Sequence, residues 1–276
     1  MRKTLRILAI GALGLTGLPG QAAQEPSSTA PRSPPDVQII DLARAAADIA
    51  REHADRSDVS QTFYLSTEST VHMHVLGYER KVAMHVHRTT EEATVIVSGA
   101  PRVSLAVSRH GKRKTSELAA RPGVLIFSPP STGHEWFNPD PRGMQANLVF
   151  ASPPFDGNTY LDASDLRMLK SGEPFIFNPD DALRSFLASG APFRIEPVPM
   201  RRERMVIILV RSDAIIPAHP TSPTLLYVTT GKGILLVGDA YPLRQQLLVN
   251  VPPNRGIKVR AEPGTPLVMI AFRPEA

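Results

Sequence analysis

The chain has 276 residues, 31 of them basic and 26 acidic, and no cysteine. That length suits one large or two ordinary domains, and the missing cysteine excludes disulfides, thiolate metal ligands, a cysteine nucleophile and a bacterial lipoprotein anchor. Without Arg2, Lys3 and Arg6 the basic count falls from 31 to 28 against 26 acidic residues, so charge makes no case for nucleic-acid binding.

Those three cations open a stretch that reads as a secretory leader. A basic start is followed by an apolar, Gly-rich run from Ile7 to Leu18 and by small residues, Gly20-Gln21-Ala22, suited to cleavage. Residues 1–23 are expected to be a signal peptide that sends the chain to the periplasm or outside the cell. The run is short for a membrane span, so no stable insertion is expected after cleavage; an uncleaved anchor is the alternative. The Pro/Ser-rich residues 24–35 predict a disordered tether. A helix is expected over about 36–53, with Ile40, Ala43, Ala47 and Ala50 as its apolar stripe.

From Ser60 to Phe150 the pattern becomes short strand-like runs broken by Gly, Pro and Asn. Residues 70–76 and 81–85 flank a turn, and a hairpin folded there would set His72 roughly across from His85. Residues two apart on a strand share a face, so His85 and His87 project together, with Glu92 opening the next apolar run. A second block, 123–138, is a buried-type strand, a Pro/Gly turn and then His134. Three imidazoles and a carboxylate can hold one divalent transition metal and still leave positions for a ligand. His72, His74 and Glu91 are candidates for acid/base work or for hydrogen bonds that fix the ligand histidines. Trp136, the sole tryptophan, shares a face with His134 if the strand stays regular. It is a candidate to wall the cavity and stack on a ring or sugar, core packing being the plainer role. His110, in the charged run 108–114, reads as a solvated hairpin tip.

Residues 151–200 look irregular and helical. Asn178 as N-cap, Pro179, two first-turn acids and Gly190 bracket one helix, and 162–170 is a candidate for another. A second strand-rich half follows from about 201. It carries a faint repeat of the first: His219 and Gly231 are kept, Thr221 and Thr224 stand where a histidine and a glutamate would, and Ile257 takes the place of His134. One imidazole cannot hold a metal against water, so this half is expected to be metal-free.

The two blocks resemble the paired motifs of the cupin superfamily, G-x5-H-x-H-x(3,4)-E-x6-G and G-x5-P-x-G-x2-H-x3-N. His85, His87, Glu92 and Gly99 fall in register in the first; Glu91 fits the looser spacing but misses the glycine, and Gly77 lies two residues too far upstream. Gly123, Pro129, His134 and Asn138 match the second, with Ser131 in place of a glycine. The resemblance implies an all-β dominated fold of two cupin barrels (double-stranded β-helix, jelly-roll) with a few peripheral helices. It implies a metal-binding first cupin over 36–150, a connector over 151–200 and a degenerate cupin over 201–276. The ligands would be His85, His87, Glu92 and His134, holding one Fe, Mn, Zn, Ni or Cu ion. The activity it implies is a dioxygenase-type oxidoreductase acting on a small organic molecule. The alternative from another class is a non-catalytic, metal-assisted binder of an organic acid or sugar, or a structural exported protein. Partners are a small-molecule ligand and a second copy in a homodimer, with no nucleic acid.

Overall fold

Alternating apolar runs separated by turn residues form antiparallel strands throughout this computed structural model. It describes residues 36–53, 58–141, 143–155, 157–162, 165 and 167–274; the leader and tether expected over 1–35 lie outside them. The chain opens with β1 (Gln38–Asp41) and α1 (Leu42–Glu52). The first strand-rich half comprises β2 (Asp58–Leu65), β3 (Thr70–Leu76), β4 (Lys81–Val86), β5 (Glu91–Ser98), β6 (Arg102–Arg109) and β7 (Lys112–Ala119). It continues with β8 (Leu125–Ser128), β9 (Gly133–Phe137), β10 (Gln145–Ser152), β11 (Thr159–Tyr160) and β12 (Phe175–Phe177). After α2 (Pro179–Ser189) come β13 (Phe193–Pro197), β14 (Arg204–Val210), β15 (Asp213–Ile216), β16 (Thr224–Thr230) and β17 (Lys232–Val237). The last are β18 (Asp239–Arg244), β19 (Leu247–Val251), β20 (Ile257–Ala261) and β21 (Leu267–Arg273).

These strands make four sheets. The first half holds a five-stranded sheet, β11-β4-β9-β6-β7, and a six-stranded one, β12-β8-β5-β10-β3-β2. The second half holds the six-stranded β1-β19-β16-β21-β14-β13 and the four-stranded β15-β20-β17-β18. Leu76, Ile96, Val103, Leu105, Ile126 and Trp136 pack between the first two sheets. Ile208, Val228, Leu235, Val249, Val259 and Met269 fill the space between the last two. A third core joins the two six-stranded sheets back to back, bringing Val71, Met73, Val95 and Phe150 against Ile207, Tyr227, Ile270 and Phe272. The layer order is therefore five-, six-, six- and four-stranded. Among the described residues neither pair of sheets closes its ladder into a barrel; each is a two-layer jelly-roll sandwich, where a closed barrel was expected.

Three local expectations are corrected. The first helix starts at Leu42, not near 36, because residues 38–41 pair with β19 as a strand and Asp41 then caps the helix through the Arg44 N–H. The turn after β3 is not a hairpin: β3 pairs with β2 and β10, whereas β4 pairs with β9 and β11, so the chain crosses from one sheet to the other. The described residues of 162–170 form a turn and no helix. By contrast α2 has the expected ends, with Asn178 accepting from the Asp180 N–H, Pro179 in the first turn and Gly190 left-handed at φ 73°. His110 (φ 50°) and Gly111 (φ 71°) make the tight turn between β6 and β7.

Candidate metal centre

Strand alternation decides which side chains meet. In β5, Ala93, Val95 and Val97 face the back-to-back core, which leaves Glu92, Thr94 and Ile96 facing the five-stranded sheet. Across that gap, His85 on β4 is the register partner of His134 on β9. One extra residue in β4 shifts the register, so Val82 opposes Trp136 while His85 opposes His134; this bulge turns both Val82 and His85 toward the interior. His87 follows the end of β4.

The three imidazoles are buried, and each offers a ring nitrogen within 4.8 Å of the other two. Each Nδ1 faces a main-chain carbonyl: His85 that of Ala83 at 2.9 Å, His87 that of Gly157 at 3.1 Å, and His134 that of Thr132 at 3.1 Å. A carbonyl only accepts, so Nδ1 donates in all three rings and Nε2 is the nitrogen turned toward the shared space. Glu92 Oε2 lies 3.1 Å from His87 Nε2 and 3.5 Å from His134 Nε2. At 3.5 Å the second of these is too long to count as a hydrogen bond, and His134 Nε2 is buried without a hydrogen-bond partner. Imidazole Nε2 atoms converging on a buried carboxylate call for a positive charge among them, a proton or a metal ion. The donor set therefore fits a divalent metal held by His85, His87, His134 and Glu92. Burial would raise the Glu92 carboxyl, but a positive charge on the His134 and His87 side of the group more than offsets it and holds it well below the usual carboxylate range. Thr94 donates to its other oxygen at 2.7 Å. Burial, with His134 close by, lowers His85 to about 3, consistent with a neutral ring.

The donors line a cavity of about 220 Å³. The opposite wall is β3 and β10, where His72, His74, Asn147 and Val149 point inward. Burial lowers His72 to about 4. His74 Nε2 meets Asp58 Oδ1 at 2.5 Å at the cavity mouth, and this bond holds Asp58 below its usual value. Trp136 is 4% exposed and both packs in the core and lines the cavity. Phe155 closes one side, its ring centroid 4.7 Å from that of His87 and 5.1 Å from that of His72. Glu91 is not in this group. It points to the other side of β5, where its Oε2 accepts the N–H groups of Arg201 and Arg202 at 2.9 and 3.0 Å. Asp58, Asn147 and Phe155 were missed from sequence, because nothing local marks residues so far from the motifs as neighbours of the histidines. In the second half His219 accepts the Ser222 N–H, and Ile257 lies in an apolar interior.

No protein-family model matches the chain, and no curated protein matches it by sequence. Solved structures do match. A salicylate 1,2-dioxygenase from Pseudaminobacter salicylatoxidans superposes with a TM-score of 0.60 at 15% identity, over 90% of this chain and 87% of that one. A gentisate adduct of the salicylate 1,2-dioxygenase from Pseudoaminobacter salicylatoxidans gives 0.63 at 14% identity, over 90% and 83%. A cupin 2 conserved barrel domain protein from Leptotrichia buccalis gives 0.57 at 12% identity, over 86% and 96%. The chain has the two-domain cupin fold. Among the described residues the candidate metal donors all come from the first strand-rich half, and no helix is long and apolar enough to cross a membrane.

Proposed function

We propose that this bicupin is an exported, metal-dependent oxidoreductase of the dioxygenase type, acting on a small organic molecule in its first domain. The observation that carries the reading is the convergence of three buried imidazoles and Glu92 at the wall of a cavity. It gains support from a fold shared with a salicylate 1,2-dioxygenase. A bound Fe, Mn, Zn, Ni or Cu ion would supply Lewis acidity and, for the redox-active metals, electron relay to dioxygen. The chain's own residues do the rest. Three carbonyls orient the ligand rings, Trp136, Val149 and Phe155 exclude water, and His72 and His74 face the substrate as hydrogen-bonding and proton-carrying groups. Export is argued from residues 1–23 alone. The second domain is read as metal-free, and a homodimer as the assembly.

Elemental analysis of protein purified from the periplasm or medium tests the reading. About one equivalent of transition metal per chain is expected, lost in His87→Ala without unfolding. The iron- or manganese-loaded form should consume dioxygen with a phenolic, dicarbonyl or carboxylate substrate. Failure to hold metal, native or reconstituted, removes the centre; metal without dioxygen uptake across the panel leaves a ligand-binding protein.

A further inference from the structure

The second domain ends on one side at an open strand edge. Among the described residues β13 closes its six-stranded sheet with β14 as its one neighbour. The Val198 N–H donates to the Met205 carbonyl at 3.0 Å and the Arg211 N–H to the Pro192 carbonyl at 2.8 Å, so the even-numbered residues of β13 face β14. The N–H and C=O groups of Phe193 and Ile195 therefore point outward along the edge, as does the Pro197 carbonyl. Phe193 and Ile195 share a face with Val210 and Ile208, which are buried in the second core, yet stay 46% and 47% exposed. The other edges are short or guarded. β1, β11, β12 and β15 have two to four residues. β7 carries Lys112, Arg113 and Lys114, β18 has Pro242 inside it, and β2 is bulged between Thr62 and Tyr64.

We infer that β13 pairs antiparallel with β13 of a second copy about a two-fold axis at Ile195, so that one sheet runs through both subunits of a homodimer. The inference rests on the homodimer reading for its occupant and is independent of the metal centre. The segment Phe193-Arg194-Ile195-Glu196-Pro197 complements itself in this register. Ile195 lies opposite Ile195 of the partner subunit, and the two exchange both main-chain hydrogen bonds. Phe193 lies opposite Pro197 of the partner subunit, whose carbonyl accepts the Phe193 N–H, so the missing proline N–H removes only the two outermost bonds. Between these pairs, Arg194 meets Glu196 of the partner subunit on each side of the axis. Arg194 and Glu196 already pair within one chain at 2.7 Å, and the buried Arg194 Nε has no hydrogen-bond partner, so a second carboxylate extends an arrangement already present. A strand that carries its own complement fits a copy of itself, and the two-fold contact closes without leaving a β13 edge free.

Sedimentation equilibrium of the purified protein over about 1–100 µM tests this. One short strand pair makes a small interface, so a dissociation constant of about 10 µM is expected. Glu196→Arg and Arg194→Glu each set like charges across the axis, and each alone should weaken dimerisation at least about tenfold. An equimolar mixture of the two variants should restore the dimer, because every cross-strand pair is then opposite in charge again. Ile195→Cys leaves these charges alone and, in a chain without cysteine, gives a single reporter. Under mild oxidation, two thiols yielding two electrons to the added oxidant, it should cross-link to itself at least about tenfold faster than Leu65→Cys, which is 69% exposed at the end of β2. A monomer at every concentration overturns the interface and the homodimer reading together. A dimer that both charge variants leave intact, or Ile195→Cys cross-linking no faster than Leu65→Cys, overturns the interface and leaves a homodimer built on another surface.

Discussion

Changing Glu92 to Gln and, separately, Glu91 to Ala should divide metal binding from folding between two adjacent residues of β5. Glu91 is buried, and one of its oxygens accepts two main-chain N–H groups, from Arg201 and Arg202, at 2.9 and 3.0 Å. Hydrogen bonds to a charged group contribute roughly 1.5–3 kcal/mol each. Allowing for water reaching the exposed side of that turn, Glu91→Ala should cost about 3 kcal/mol. In a chain of this size that is a fall of about 6–12 °C in melting temperature. Metal content should not change, because Glu91 faces away from the imidazoles. Glu92→Gln should do the opposite. It removes the anionic donor that faces His87 and His134 among the described residues, so the metal dissociation constant should rise by at least about 100-fold, beyond the effect of losing a hydrogen-bonded support. The metal-free protein should keep its fold, since a glutamine of the same shape can still donate its NH2 to an Nε2 of His87 or His134. Elemental analysis after dialysis, paired with calorimetric melting in chelator, reads both effects. A Glu91→Ala protein that sheds its metal but melts normally, or a Glu92→Gln protein that keeps a full equivalent, would refute the assignment of faces.

Two further outcomes follow from the site. His72 has a folded pKa of about 4 against an ordinary 6.5, so between those values the unfolded chain binds more protons. Stability should then fall as pH drops through that window, by up to about 1.4 kcal/mol per pH unit, and His72→Gln should flatten that slope; an unchanged acid profile in the variant contradicts it. Gly157 sits at φ 94° with open space where a Cβ would lie, and its carbonyl fixes His87. Gly157→Ala should therefore strain only the main chain, weakening metal retention about tenfold while leaving the bulk of the fold intact. Metal affinity equal to wild type would mean the carbonyl does not orient the ring.

The sequence made the centre more legible than its surroundings. His85, His87, Glu92 and His134 lie within two short segments whose strand periodicity already places them together, and the α2 caps are written in adjacent residues. What stayed hidden depends on pairing between distant strands. The extra residue of β4 between Val82 and His85 has no local signal, because a bulge is defined only against the partner strand. The turn after β3 reads equally well as a hairpin or a crossing between sheets, and only the pairing of β3 with β10 decides. Glu91 and Glu92 differ by one residue, and a slip of one reverses every face, so the glycine register alone favoured Glu92. Residues 38–41 illustrate another limit: Ile39 and Ile40 suit a helix stripe or a strand, and the open edge of β19 selects the strand.

The second domain acts on the site through packing. Its interior is filled with apolar side chains, yet the outer face of its six-stranded sheet lies on the outer face of β3, β5 and β10. Those three strands carry His72, His74, Glu92 and Asn147 on their inner face. Were the outer face open to water, Val71, Met73, Val95, Leu148 and Phe150 would form a large exposed apolar surface, and the strands would be held from one side only. With Phe272 packed 5.1 Å from Phe150, and Gln246 donating to the Val97 carbonyl at 2.7 Å, both faces are fixed. Close-packed interiors transmit displacement and do not absorb it, so a donor on a strand packed on both faces is held to a narrow position. A second domain that keeps only His219 of the ligand pattern can thus still matter to the site: its apolar face sets the strand positions from which Glu92 meets the histidines.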